Sequence, residues 1–226
     1  MRKETAEYEL QIGIALMASG FGERFGANKL LEKAGDRTVI ERTLSLLSDC
    51  GDLFLKENIV VVTRYTEIAV LAQQQGYVAL LHSMPWKSDT VRLGTRFLRD
   101  RQGILFLQAD QFLLEEESLR RMVRAFRKDP SHPVRLAFQG QMGSPVLFPP
   151  EYYERLTGLQ GDCGGAGLLK TEQLKVVEAQ EEWELWDADT KEELRRMVEV
   201  LEKKAFMQMK EKRRNAVEKS IIKKEG

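Results

Sequence analysis

Four short apolar runs constrain this chain more than any other feature: "IGIALM" (12–17), "NIVVVT" (58–63), "YVALLHS" (77–83) and "ILFLQAD" (104–110). Runs of this length and composition suit strands buried on both faces of a parallel sheet, with residues 77–83 read as a strand or a strand-like connection. The segments between them have helical spacing. "TVIERTLSLLSDCG", residues 38–51, puts Val39, Ile40, Thr43, Leu44 and Leu47 on one face and ends near Gly51. Residues 65–76 read as a helix closed by Gly76. Residues 88–103 open on a Ser–Asp pair able to cap, and carry Val91, Gly94, Phe97 and Leu98 along one side. "EEESLRRMVRAFRKD" begins acidic and ends basic, as the helix macrodipole prefers, and stops before Pro130. This alternation through about residue 129 implies right-handed crossovers and an α/β fold, with three α/β/α layers around a mostly parallel twisted sheet. The second half is less regular. "VRLAFQGQMGSPVLFPP" reads as two strands around a glycine turn, "EYYERLTGL" as a short helix, "QGDCGGAG" as a loop and "LKVVEA" as a late strand. From Thr190 onward a helix with a charged outer face is expected.

At 226 residues the chain can bury a proper core without disulfide staples. Its 35 basic and 35 acidic residues cancel, so the overall balance gives no reason to expect nucleic acid or a membrane as partner. Cys50 and Cys163 are far apart and lack the spacing of a zinc site or disulfide framework. No window approaches the roughly 18 apolar residues of a membrane span. The expectation is a soluble protein in a reduced, cytoplasmic setting.

Directly after the first run stands "MASGFGERFGANKLL", residues 17–31. Gly20, Gly22 and Gly26 lack a Cβ, so the backbone can take positive φ and come close to a bound group. Backbone N–H groups there, joined by the Arg24 guanidinium and the Lys29 ammonium, make a polyphosphate site. The GxxxxGK[ST] loop fails because "ANKL" follows Gly26, and GxGxxG fits only approximately, which demotes nucleoside-triphosphatase and dinucleotide sites of those kinds. Glycines also make plain strand-to-helix turns, so other residues must decide. Asp110 ends the clearest central strand, at the edge where such sheets bind ligands, and could hold Mg²⁺ against phosphate oxygens or cap a turn. Asp187 and Asp189 in "WDADT" lead into the last helix, and Asp189 taken alone reads as its N-cap. His82 and His132 have no partner spacing, and no base is placed by sequence to activate Cys163.

Taken in order, these stretches resemble the MobA-like nucleotidyltransferases. "MASGFGERFGANKLL" is similar to their LAAGxSxRxGxxKLL signature, "LFLQADQFLL" to LxxGDQPLL and "WDADTKEEL" to DIDTPEDL. "GSPVLFPPEYYERLTGLQGDCGG" resembles a stretch typical of the molybdenum cofactor cytidylyltransferase branch, and the likeness spans about residues 12–195. It implies the Rossmann-like nucleotidyltransferase fold, a catalytic domain over 1–190 and a charged helical extension over 191–226. It also implies that Ala18, Ser19, Gly20, Phe21, Gly22 and Gly26 hold the nucleotide, with Arg24 and Lys29 on its phosphates and Ser88 and Thr90 facing nucleotide or acceptor. Asp110 and Asp189 would hold Mg²⁺, and Arg24, Lys29 and Asp110 would carry the catalysis. Gly143, Asp162 and Gly164 would face the acceptor, and Ser19 leans the base preference toward CTP. Ala109, Phe112, Gly22, Asp89 and Lys191 depart from the family pattern. The implied activity is transfer of CMP from CTP to a molybdopterin-type cofactor with release of pyrophosphate, for delivery to a molybdenum hydroxylase. Two alternatives stand beside it: a sugar or alcohol phosphate as acceptor, and a non-catalytic relative that binds nucleotide or cofactor and hands it on.

Overall fold

The computed structural model describes residues 11–22, 25–26, 28–169 and 173–225. After β1 (Ile12–Ala18), the glycine loop and a 3-10 turn (Lys29–Leu31) lead through a small hairpin, β2 (Lys33–Ala34) and β3 (Arg37–Thr38), into α1 (Val39–Asp49). Then come β4 (Ile59–Thr63), α2 (Thr66–Gln74), β5 (Val78–Leu81), α3 (Lys87–Phe97), β6 (Gly103–Gln108) and α4 (Glu116–Lys128). The second half adds β7 (Val134–Phe138), β8 (Gln141–Phe148), α5 (Tyr153–Thr157), β9 (Lys175–Glu178) and α6 (Lys191–Glu225). No described helix is long and apolar enough to cross a membrane.

Seven strands form one sheet in the order β5-β4-β1-β6-β8-β7-β9. Only β8 runs against its neighbours, pairing antiparallel with β6 and β7. The sheet is therefore mostly parallel, as the alternation of strands and helices implies. Alternate residues of the central strands feed two cores. Ile14, Leu16, Val61, Leu105 and Leu107 pack under α1, α2, α4 and the start of α6, whereas Ala15, Val60, Val62, Ile104 and Phe106 pack under α3 and α5. α1 buries the expected face of Val39, Ile40, Thr43, Leu44 and Leu47. Its start is a capping box: Thr38 N and Oγ1 donate to the Glu41 carboxylate at 2.7 and 2.8 Å, and Glu41 N donates back to Thr38 Oγ1.

α3 ends at Phe97, short of the 88–103 expected from its pattern. The reason is the geometry of the crossover. Gly103 must pair beside Ile12 to start β6, so the chain turns at Leu98, whose buried side chain fills the space over Gly13. Gly94 lets α3 lie directly on β1: a Cβ at that position would stand 2.8 Å from the Ala15 Cβ.

The segment before α6 is fixed by a buried carboxylate. Glu184 is fully buried and accepts from the backbone N–H groups of Glu115, Gln180 and Glu181, at 3.1, 2.8 and 3.4 Å. Those donors lose their partner in Glu184→Ala, a change expected to lower stability by about 2 kcal/mol. Urea unfolding measures it, and an unchanged midpoint would show that the carboxylate does not tie this segment down.

Candidate active site

The carboxyl ends of β1, β4 and β6 open into a cavity of about 540 Å³. Its walls include Ser19, Gly20, Phe21, Gly22 and Lys29 from the glycine loop region, Thr90 from α3, and Asp110, Asp162, Asp187 and Asp189. Ligands of open α/β sheets sit at this edge.

The loop is shaped by hydrogen bonds. Gly22 (φ +64) and Gly26 (φ +77) occupy the left-handed region that sequence reading expects for all three glycines. Gly20 keeps an ordinary φ. Its carbonyl accepts from the Tyr65 hydroxyl at 2.7 Å, and a Cβ added to it would meet nothing within 4 Å. Gly22 O accepts from Phe25 N and Gly26 N, both at 2.9 Å, which closes the turn. Arg24, expected on the phosphates, lies outside the described residues. Ala18 is buried at the end of β1, while Ser19, also buried, donates its hydroxyl to Val62 O at 3.0 Å. That single proton being used, His82 Nε2–H is the donor in the 2.8 Å contact to Ser19 Oγ. Burial, followed by the charge of Arg64, holds the His82 pKa below the ordinary histidine value, so the ring is neutral at pH 7.

Lys29 is delivered by its short 3-10 turn. Asn28 Oδ1 caps that turn by accepting from Leu30 N, and Leu30 is buried. The ammonium reaches Asp110 at 2.5 Å and Asp189 at 2.7 Å. Burial lowers the Lys29 pKa, and the two carboxylates outweigh it, so the net pKa stands above the ordinary lysine value. Asp110 follows Ala109, which is tied on both sides: its N–H donates to Met17 O at 3.1 Å and its carbonyl accepts from Thr43 Oγ1 at 2.8 Å.

Asp189 does not cap α6. Thr190 fills that place, exchanging hydrogen bonds with Glu193 in a capping box, and Thr190 O accepts from Leu194 N. The Asp189 carboxylate is thereby left to face Lys29. Carboxylate oxygens of Asp110, Asp187 and Asp189 all lie within 4.8 Å of one another. Partial loss of hydration, with the charges of Asp110 and Asp189 behind it, raises the Asp187 pKa even though the side chain still reaches solvent at the cavity mouth. Three convergent hard oxygen donors fit Mg²⁺ or Mn²⁺ and do not resemble a soft-metal site.

Thr90 and Ser88, at the start of α3, are buried with hydroxyls that find no protein partner. Thr90 lines the cavity; Ser88 does not, and its N–H donates to Gly161 O at 3.3 Å. The intruding Asp89 is occupied locally, accepting from Trp86 N and pairing with Arg92 at 2.6 Å. Of the residues expected on the acceptor side, Asp162 lines the cavity and Gly164 packs beside the Lys87 side chain. Gly143 lies elsewhere, against Leu185, with its carbonyl accepting from Arg135. Cys163 is exposed, its thiol donating to Gln160 O, and Cys50 is buried, its thiol pKa pushed up to about 12 by burial.

Sequence reasoning missed Arg64, which lines the cavity, stacks over the Phe21 ring at 3.6 Å and donates to Pro85 O. It follows β4 immediately, so the strand-end rule that found Asp110 applies to it equally. Trp86, half-exposed at the cavity rim, was also missed, since an aromatic in a loop carries no pattern.

The sequence model of the MobA-like NTP transferase domain matches residues 14–178. No curated protein matches the chain. Among solved structures, Rv0371c from Mycobacterium tuberculosis is similar at 22% identity and a TM-score of 0.70, covering 84% of this chain and 98% of that one. Its complex with manganese matches at the same identity and coverage, with a TM-score of 0.67. A nucleotidyl transferase from Methanothermobacter is 21% identical with a TM-score of 0.72, covering 86% of this chain and 99% of that one. The 4-diphosphocytidyl-2C-methyl-D-erythritol synthase of Anaerococcus prevotii is 16% identical with a TM-score of 0.68, covering 86% and 97%. These likenesses establish the fold. The match of the family's sequence model over most of the chain goes further: the protein belongs to the MobA-like NTP transferase domain family.

Proposed function

We propose that the protein is a divalent-metal-dependent cytidylyltransferase that transfers CMP from CTP to the terminal phosphate of a molybdopterin-type cofactor, releasing pyrophosphate. The observation that carries this reading is the meeting of Lys29 with Asp110, Asp187 and Asp189 beside the glycine loop in one cavity. The family match and the manganese complex of Rv0371c support it.

The chain's own residues suffice for positioning. The backbone of Gly20 to Gly22, which lines the cavity, would lie against the triphosphate, and Thr90 offers a hydroxyl that lacks a protein partner. Lys29, and Arg24 by resemblance, offset the charge that grows on the departing pyrophosphate. Asp110, Asp187 and Asp189 would hold Mg²⁺, which when bound supplies charge neutralisation at the reacting phosphate. The acceptor phosphate is already ionised near neutral pH and attacks the α-phosphorus in line, so no side chain need serve as nucleophile or strong base. Asp162 and Lys87, which also line the cavity, would meet the acceptor in this reading.

A second reading keeps the chemistry and replaces the acceptor with a sugar or alcohol phosphate, and the fold shared with the Anaerococcus synthase favours it. The experiment is pyrophosphate release with Mg²⁺ and each of CTP, GTP, ATP and UTP in turn, with molybdenum cofactor as acceptor and then with sugar and alcohol phosphates. Release with CTP and the cofactor alone is the expected result. Release with a different acceptor selects the second reading. Nucleotide binding without release, whatever the acceptor, would replace both with a carrier that delivers nucleotide or cofactor to a hydroxylase.

A further inference from the structure

We propose that Lys29 is the built-in occupant of the carboxylate cluster: its ammonium holds Asp110 and Asp189 together in the free protein and leaves when a divalent ion enters, so that metal and nucleotide load together. This rests on the reading of these aspartates as metal ligands. Three carboxylates with oxygens within 4.8 Å of one another repel strongly unless a cation sits among them. Lys29 is that cation in the free protein, with its side chain only 11% exposed and its nitrogen 2.5 and 2.7 Å from two of the three. The Lys29 ammonium, shared by Asp110 and Asp189, offsets only part of the charge that three carboxylates carry. A dication would correct that balance, and it would also repel the ammonium beside it.

The lysine has somewhere to go. It sits on a flexible four-carbon stem and shares its cavity with the glycine loop. Nucleotide phosphates draw the ammonium away from the aspartates, and an ion among the aspartates frees it for the phosphates. Each ligand thus favours the other by the same factor. In the free protein the consequence is a metal site blocked by its own side chain.

The test is Mn²⁺ binding without nucleotide, followed by electron paramagnetic resonance, in wild type, Lys29→Met and Lys29→Arg. Lys29→Met is expected to bind Mn²⁺ about tenfold more tightly than wild type, and to bind CTP less tightly in the absence of metal. Lys29→Arg, which keeps the charge, should stay as weak for Mn²⁺ as wild type. Circular dichroism establishes that the variants are folded. If Lys29→Met unfolds, Lys29→Gln, which retains a hydrogen-bond donor, takes its place with the same expectation. Mn²⁺ binding that depends on Asp110 but is no tighter without the lysine charge overturns the inference and leaves the metal-site reading standing. Mn²⁺ binding in both forms that is indifferent to Asp110→Asn overturns both.

Discussion

Pyrophosphate release by Asp110→Asn protein is expected to fall about a thousandfold, equivalent to about 4 kcal/mol of lost transition-state stabilisation. The substitution preserves size and shape while removing one of the charges that would anchor the metal. It leaves Asp189 to pair with Lys29, 2.7 Å away, so the fold should survive. Ala109 remains tied to Met17 and Thr43, which keeps the residue 110 backbone in place. Rate should therefore collapse while the unfolding midpoint stays close to wild type. Measurement of both in one preparation separates chemistry from stability, and a rate within tenfold of wild type would remove Asp110 from the reacting centre.

The largest expected loss of stability comes from Gly94→Val, at about 3 kcal/mol. The clash is with Ala15 on the central strand, whose Cβ is bonded directly to the backbone and cannot swing aside. Either α3 lifts from the sheet or β1 bends. Gly94→Ala is a useful partner, since alanine gains about 1 kcal/mol of helix propensity over glycine and meets the same 2.8 Å approach with fewer atoms. Its net effect should be much the smaller. Because Thr90 stands one turn before Gly94, lifting α3 also moves a cavity wall, and CTP affinity should weaken in the valine variant. Urea unfolding and a CTP titration check the two effects, and a valine variant as stable as wild type would contradict the close packing of α3 on β1.

The sequence carried the frame because burial is periodic. Short runs such as residues 59–62 are apolar at every position, as a strand covered on both faces requires, and α1 displayed its buried face. Asp110 was legible because a carboxylate ending an apolar run has few places to go. The end of α3 was not, since Leu98 and the residues after it keep helical composition while the pairing of Gly103 with Ile12 dictates the turn. That Asp189 is not the cap of α6 was hidden for a different reason. Asp and Thr both cap helices, Asp slightly the better, so a choice between adjacent Asp189 and Thr190 on residue type favours the wrong one, and the hydrogen bonds of Glu193 decide for Thr190. The Ser19–His82 contact, the Arg64–Phe21 stack and the hydrogen bond from Glu115 N to Glu184 join residues distant in sequence, and no local pattern announces them.

The contact between Lys29 and Asp189 spans 160 residues of chain, and it bears on how the molecule is made. Closing so long a loop carries an entropy cost that only extensive packing can offset, and contacts of such separation slow folding. During synthesis the glycine loop and the Asp110 strand emerge first, able to pair in a sheet but lacking their final partner. Only when the chain through Met197 has left the ribosome can Glu184, Asp187 and Asp189 dock, and Leu194 and Met197 seal beneath them. The cluster of Lys29, Asp110, Asp187 and Asp189 is completed by a late-made stretch of chain, so the proposed site cannot be assembled before residue 189 is made.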